Sequence, residues 1–234
     1  MKNFQNSPEY HQLEVDEESP LSRTLLQSMA LAGKESGSGK VAHMPNHRIK
    51  GNILQVLLAG YETTASSMMW ILYMLSKHPE VQRKVQEEVD EVLQSQYNLL
   101  DLDAITDETC EALSSLDTNS FPYTMAVIHE TMRLRPVAPF LGAASGNEKI
   151  TLLGHELPEN SLVFMLFRVA SIKACPSADP TSFDPSRWIK SDSMDQETFE
   201  SYHKTMMRQI LGFGGGARIC PGKYDTYNRI FSYQ

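Results

Sequence analysis

Residues 213–222 combine a cysteine, an arginine and four glycines in an order that suits metal ligation. A thiolate that binds iron must be stabilised, and backbone N–H groups in a loop of small residues can point at the sulfur of Cys220. Arg218 can bind a carboxylate as a charged fork, and Phe213 can shield the sulfur from water. The glycines, which permit close approach and positive φ angles, are Gly214, Gly215, Gly216 and Gly222.

Two other interpretations of this loop are a flexible glycine segment with an inert buried cysteine and a phosphate-binding loop. The second is disfavoured because no Gly-Lys-Ser/Thr follows the glycines. The chain's three cysteines, Cys110, Cys175 and Cys220, are far apart and odd in number. They form a poor disulfide framework, which fits a reducing compartment or a single cysteine that does chemistry.

Glu130 and Arg133 lie three residues apart in a segment that Pro136 ends. This spacing places both side chains on one face of a helix, where they can form an ion pair. The alternative is a solvated surface pair, which contributes little to stability. A further arginine, Arg187, follows in the segment Phe-Asp-Pro-Ser-Arg-Trp at residues 183–188.

Polar side chains interrupt a long apolar segment where the sequence reads Ala-Gly-Tyr-Glu-Thr-Thr from Ala59. A buried carboxylate without a partner is costly, so Glu62 needs a reason to be there. A structural reason exists for its neighbours Thr63 and Thr64, because a threonine hydroxyl can bond the carbonyl four residues earlier and bend a helix.

The composition is that of an ordinary globular protein, with 41% apolar and 21% charged residues. The formal charge of −8 argues against nucleic-acid binding. Residues 1–20 show no secretory signal, and the apolar stretch Ile53–Leu75 carries polar groups that favour a buried soluble helix over a membrane span. His129 and His155 have no partners at metal-ligand spacing and are interpreted as ordinary core or surface residues.

The elements that would position these motifs are mostly helical up to Pro136. Apolar spacing and proline positions predict helices over residues 21–32, 46–76, 80–94 and 123–134. Residues 33–40 are expected to form a flexible linker or exposed loop. The first of the long helices, residues 46–76, is apolar over most of its circumference, which predicts burial in the middle of a domain.

Beyond Pro136, prolines and glycines punctuate short apolar runs, which predicts small strands and turns at residues 150–153 and 162–167. Residues 101–118 are expected to form an acidic loop with a short helix. An irregular proline-rich stretch is expected at residues 176–185, followed by the glycine loop at residues 212–222.

The three motifs resemble those of the cytochrome P-450 family and follow that family's order. The string at residues 213–222 is similar to its cysteine-ligand loop, Glu130–Arg133 to its Glu-x-x-Arg helix, and Arg187 to the arginine of its Pro-x-Arg-Phe/Trp motif. The resemblance implies a mainly α fold with a small β region. It would be a partial P-450 fold with the long central helix, the Glu-x-x-Arg helix, the meander and the cysteine-ligand loop.

The resemblance also implies a role for each site residue. Cys220 would ligate the iron of haem b, while Glu62 and Thr63 would relay protons during oxygen activation. The residues implied to bind the cofactor are Phe213, Gly214, Gly216, Arg218 and Gly222. Three residues are implied to be structural, because they hold the segment that carries the cysteine: Glu130, Arg133 and Arg187.

The sequence departs from the family in two places. Shortly after Pro139, where relatives carry an arginine or histidine that grips a propionate, this chain has Gly142 and Ala143. After residue 222 the family continues as an apolar helix, whereas residues 223–229 are polar here. We therefore expect a poorly defined segment and linker at 1–44, a partial haem domain at 45–222 and an atypical tail at 223–234.

The implied activity is haem-thiolate monooxygenation of a small lipophilic substrate with dioxygen and an NADPH-dependent reductase, as in the eukaryotic microsomal group. Basic residues near the cysteine loop could meet an acidic reductase or simply form a solvated surface: His203, Lys204, Arg208 and Lys223.

Two other functions stay open. One is a haem-thiolate isomerase or dehydratase that needs no external electrons, although retention of Thr63 argues against it. The other is a non-catalytic truncated fragment, inactive by itself. For a full-length parent the resemblance implies the cytoplasmic face of the endoplasmic reticulum membrane, through an anchor that this chain lacks.

Overall fold

The computed structural model describes residues 33–35, 41–97, 118–223, 226–227 and 230. The chain divides into two compact units, residues 1–62 and 63–234. Among the described residues, no helix is long and apolar enough to cross a bilayer. The expected helix at 21–32 and all but the last residue of the acidic loop expected at 101–118 lie outside the described residues.

Two long helices form the first half of the described chain, α1 at Asn46–Lys77 and α2 at Pro79–Tyr97. The residue before a proline avoids the helical region, so α1 ends ahead of Pro79, which then occupies the first turn of α2. Glu80 in that first turn complements the helix dipole. Both predicted helices are confirmed to within three residues at each end.

A shorter helix, α3 at Pro122–Leu134, carries Glu130 and Arg133 and lies at the centre of the second unit. Ten of its thirteen residues are buried, including both of these charged residues. The helix starts on Pro122 at its first position and ends before Pro136, as the proline spacing predicts.

The strands form three separate two-stranded antiparallel sheets among the described residues. Strand β1 (Gly33–Glu35) pairs with β2 (Val41–His43), β3 (Phe140–Ala144) with β6 (Leu162–Leu166), and β4 (Ile150–Leu152) with β5 (His155–Leu157). The prediction of a flexible linker or exposed loop at residues 33–40 is therefore wrong for Gly33–Glu35, which form a strand. Pairing with β2 satisfies the backbone hydrogen-bonding groups of this segment. The small β region after Pro136 is confirmed.

Two helices were not expected, α4 at Phe167–Ala174 and α5 at Gln196–Met207. The strand predicted to reach Phe167 stops one residue earlier, and the following segment contains no glycine or proline to prevent a helix. A sequence signal for α5 was available, since Asp195 caps it by accepting a hydrogen bond of 2.9 Å from the backbone N–H of Thr198.

The core of the second unit gathers side chains from α1, α2, α3 and α5 around Ile128 and Met206, which are fully buried. In the part of α1 that belongs to this unit, Ile71 is 1% exposed but Leu72 is 64% exposed. The expectation that α1 is buried all round is therefore wrong, because the described residues of this unit cover only one side of it. The mainly α class with a small β region is confirmed.

Candidate functional site

Cys220 follows two short 3-10 turns, Leu211–Phe213 and Gly216–Arg218. Its backbone N–H donates a hydrogen bond of 2.8 Å to the carbonyl oxygen of Phe213, which closes the loop between them. The thiol is not in a disulfide and is partly exposed. A helical turn begins immediately afterwards, where the N–H of Lys223 bonds the carbonyl oxygen of Cys220 at 3.4 Å. The loop therefore presents a reachable sulfur on a backbone that is held on both sides.

Two glycines of the loop are required by its backbone. Gly214 and Gly216 have φ angles of +69° and +65°, a region where L side chains are strained. A Cβ atom at Gly215 or Gly216 would meet nothing within 4 Å, so this side of the loop faces open space. At Gly222 a Cβ atom would lie 3.9 Å from Sγ of Cys220, an ordinary contact distance.

The residues of this loop fit a haem. A haem held by a thiolate needs a free sulfur, space for the porphyrin and a cation for its carboxylates. The loop supplies Cys220, its open side and the exposed guanidinium of Arg218. None of the ion pairs among the described residues involves Arg218.

Strand β3 supplies no such cation. At the position where a basic residue was expected from the family pattern, Gly142 and Ala143 are both exposed. A Cβ atom at Gly142 would lie 3.1 Å from the Phe164 ring on the paired strand, so even a small side chain would require that ring to move. Among the residues that the sequence assigns to haem binding, Arg218 is therefore the one able to pair with a propionate.

Glu130, Arg133 and Arg187 are joined by hydrogen bonds in the interior of the second unit. Arg133 donates from Nε to Oε2 and from Nη2 to Oε1 of Glu130, both at 2.8 Å. Arg187 donates from Nε to the same Oε1 at 2.8 Å. The side chains of Glu130 and Arg133 are 0% exposed, so this is not the solvated surface pair that the sequence left open.

The second arginine reaches Glu130 because residues 185–188 form a 3-10 turn. Asp184 caps this turn by accepting a hydrogen bond of 3.0 Å from the N–H of Ser186. The turn also aims the indole of Trp188, which donates to Oε2 of Glu130 at 2.9 Å. Other guanidinium N–H groups bond backbone carbonyls of the irregular stretch, including that of Pro180 at 2.8 Å from Nη1 of Arg133, and Nη1 of Arg187 bonds Sγ of Cys175 at 3.8 Å. One carboxylate thus ties α3 to the meander.

The other end of α3 is held by a carboxylate from α2. Glu88 accepts from the backbone N–H of Tyr123 at 2.7 Å and from that of Thr124 at 2.8 Å. It also accepts from the Thr124 hydroxyl at 2.7 Å. Phe121, at the cap position of α3, has a hydrocarbon side chain that cannot accept a hydrogen bond from the first backbone N–H groups of the helix. Glu88 of α2 therefore caps the helix instead. No sequence signal could find Glu88, because its partners lie 35 and 36 residues away.

Aromatic rings connect this group to the cysteine loop. The ring of His129 lies 5.1 Å from that of Trp188 and 5.4 Å from that of Tyr227. Tyr227 in turn lies 5.4 Å from Phe213. The loop is therefore packed, through three ring contacts, against the turn that Glu130 holds.

Burial, followed by the nearby charges of His203 and Lys223, lowers the pKa of His129 to about 4. Burial also lowers the pKa of His203, so both imidazoles are neutral at pH 7. The ammonium of Lys223 lies 5.9 Å from the centre of the Phe213 ring. Lys204 and Arg208 are exposed on and just after α5.

Glu62 and Thr63 are adjacent and exposed on α1, which continues without a break through both. The burial predicted for this helix therefore does not extend to the carboxylate of Glu62. The carbonyl of Thr63 accepts a hydrogen bond of 2.9 Å from the hydroxyl of Ser67, the local bonding that polar side chains make inside helices. Thr64, in contrast, is buried at 8% exposure.

Comparison with known proteins identifies the class to which this fold and site belong. The family model described as Cytochrome P450 matches residues 4–224. The fold is similar to that of a solved cytochrome P450, CYP102L1, with a TM-score of 0.63 at 22% identity over 96% of this chain and 45% of that one. The chain belongs to the cytochrome P450 family.

Curated relatives include plant members of this family. Cytochrome P450 71B23 of Arabidopsis thaliana is 33% identical over 82% of this chain and 34% of its own length. The flavonoid 3',5'-hydroxylase CYP75B138 of Crocosmia x crocosmiiflora is 29% identical over 81% of this chain and 32% of its own length. The chain thus spans about a third of the length of the curated relatives it matches.

Proposed function

We propose that this protein is a haem-thiolate monooxygenase that inserts one atom of dioxygen into a small lipophilic substrate. The observation that carries the proposal is the cysteine loop, which combines a free, partly exposed thiol at Cys220, an open side at Gly215 and Gly216, and an exposed Arg218. Membership of the cytochrome P450 family supports it. Haem b, when bound, supplies the oxygen-activating chemistry, and a thiolate ligand favours cleavage of the O–O bond.

We assign the roles in haem binding to residues of the loop. Cys220 is the iron ligand, and the left-handed glycines Gly214 and Gly216 let the backbone fold closely around it. Arg218 binds a propionate as a charged fork. Phe213 limits the access of water to the sulfur, which tunes the potential of the iron. The carboxylate of Glu130 keeps the meander, and through it the loop, in place.

Glu62 and Thr63 are proposed to move protons. Both are exposed on α1, so the carboxylate can exchange protons with water, and a hydroxyl beside it can pass them on. This assignment rests on the match of the Ala-Gly-x-Glu-Thr string to the family pattern. The assignment favours a monooxygenase over an isomerase or dehydratase, because a haem protein that only rearranges its substrate does not need protons delivered to dioxygen.

Electrons are proposed to come from an NADPH-dependent reductase. Lys204 and Arg208 are exposed, and Lys223 lies against Phe213 of the cysteine loop, so these three cations suit an acidic partner surface. His203 is left out of this set because burial lowers its pKa and keeps it neutral. The endoplasmic reticulum membrane is the proposed location, from the family resemblance.

NADPH consumption by the haem-loaded protein with a P450 reductase tests the function. We expect consumption that depends on dioxygen, and a loss of product of about a hundredfold or more in Glu62→Gln and Thr63→Ala, the usual scale for general acid–base groups. A protein that binds haem but consumes no NADPH would instead be an isomerase or dehydratase. A protein that binds no haem would be non-catalytic.

A further inference from the structure

A cavity of about 290 Å³ lies between the second half of α1 and α2, and none of the residues that line it belongs to the cysteine loop. Its floor is apolar and includes Ile71 and Ile230, which are 1% and 0% exposed. Val85 and Val89 of α2 form part of its wall and are half-buried. The floor and wall can therefore remove an apolar ligand surface from water.

The rim of this cavity is polar on the α2 side. Gln82, Gln86 and Asp90 follow one another at intervals of four residues, so they form a single stripe along the helix. All three are exposed. No hydrogen bond or ion pair found among the described residues uses their side chains. Two amide oxygens and a carboxylate are thus available as acceptors at the mouth of an apolar cavity.

The charge at the rim is not neutralised by the neighbouring cations of α2. Arg83 is paired with Glu87 one turn along the helix. The ammonium of Lys84 lies 5.5 Å from the centre of the Tyr123 ring, on the side that faces α3. The cavity lining contains no basic residue among those described. Asp90 therefore gives this site a negative charge that a cationic ligand would complement.

We propose that this cavity binds a small cationic amphiphile, an alkylammonium whose hydrocarbon body covers Ile71 and Val85 and whose ammonium reaches Asp90. An ammonium has three donors and no acceptor, which suits the carboxylate of Asp90 and the amide oxygen of Gln86 one turn before it. The volume of the cavity is near the lower end of the range for ligand pockets, so the hydrocarbon part of the ligand must be a short alkyl chain. The site does not depend on the proposed haem chemistry.

Calorimetric titration of the haem-free chain with octylamine tests this site, because without iron an amine cannot act as a haem ligand. We expect saturable binding at one site, and no detectable binding in Val85→Phe, whose ring would fill the cavity. Asp90→Asn should weaken the binding of octylamine by about two- to fivefold, the range of an exposed ion pair. The same variant should leave the affinity for the neutral analogue octanol unchanged.

Glu87→Gln is the matched control, since it removes a carboxylate of the same helix that faces Arg83 instead of the cavity. It should not change octylamine affinity. Because Asp90 is exposed, Asp90→Asn tests the site even if Val85→Phe fails to fold. Absence of octylamine binding, equal affinity in Asp90→Asn, or an equal loss in Glu87→Gln would overturn the proposal.

Discussion

Trp188 donates its indole N–H to Oε2 of Glu130 at a distance of 2.9 Å. With the two arginines and the backbone N–H of Asp184, which bonds Oε1 at 3.2 Å, this one carboxylate accepts five hydrogen bonds. It is wholly buried. Two guanidinium groups face a single carboxylate. Other N–H groups of the two arginines bond backbone carbonyls of residues 179–182, and Nη1 of Arg187 bonds Sγ of Cys175.

Replacing Glu130 by alanine should destabilise the fold strongly. Both arginines would stay buried without a counter-charge, a lesion that costs about 3–5 kcal/mol. The measurement is the free energy of unfolding in urea. The control is Glu156→Ala, which breaks an exposed pair with Lys149 and should cost about 0–1 kcal/mol. Equal stability of the two variants would show that the buried group does not hold the meander.

Glu88→Ala should loosen the first turn of α3. The variant removes a charged acceptor from two backbone N–H groups at a helix start, with an expected loss of about 1–3 kcal/mol. Hydrogen exchange should show faster exchange of the Tyr123 and Thr124 amides, while Glu87→Ala leaves both protected. If the two amides exchange at the original rate in Glu88→Ala, the cap from α2 is not formed in solution.

Acid should destabilise the protein partly through His129. The pKa of His129 is about 4 in the folded protein, whereas its ordinary value of 6.5 applies to the unfolded chain. Between these two pH values the unfolded chain therefore binds the proton more readily than the folded protein does. The contribution of the neutral imidazole to the free energy of unfolding is fully present above pH 6.5. As the pH falls from 6.5 to 4, this contribution decreases by about 3 kcal/mol.

The measurement for His129 is the difference in unfolding free energy between pH 7 and pH 4. His129→Phe keeps a ring beside Trp188 but cannot titrate, so this difference should be smaller by about 3 kcal/mol than in the original protein. An unchanged difference would mean that His129 is not buried as a neutral group.

The sequence predicted the elements that have local signals. Pro79, Pro122 and Pro136 mark helix boundaries that the structure reproduces, and the 3.6-residue spacing identified α1, α2 and α3. Glu130, Arg133 and Arg187 could be grouped only by resemblance to a family, since their spacing alone also suits a surface pair. The structure adds the hydrogen bonds that join them.

Features that depend on tertiary contacts could not be predicted. The cap by Glu88 joins residues 35 apart, and the bond from Trp188 to Glu130 joins residues 58 apart. The exposure of Leu72 was missed because the apolar pattern of α1 does not reveal which of its sides is covered. The start of α4 at Phe167 was missed because an apolar run suits a strand and a helix equally.

The most direct measurement is the reduced carbon-monoxide difference spectrum of the haem-loaded chain and its cysteine variants. We expect the red-shifted Soret band of thiolate ligation, its loss in Cys220→Ala, and its retention in Cys175→Ala, because Cys175 is buried beside Arg187 and cannot reach a haem at the loop. The third cysteine variant is Cys110→Ala, and Cys110 lies outside the described residues. A thiolate band that survives Cys220→Ala, or that disappears in either of the other two variants, would contradict the assignment of Cys220 as the iron ligand.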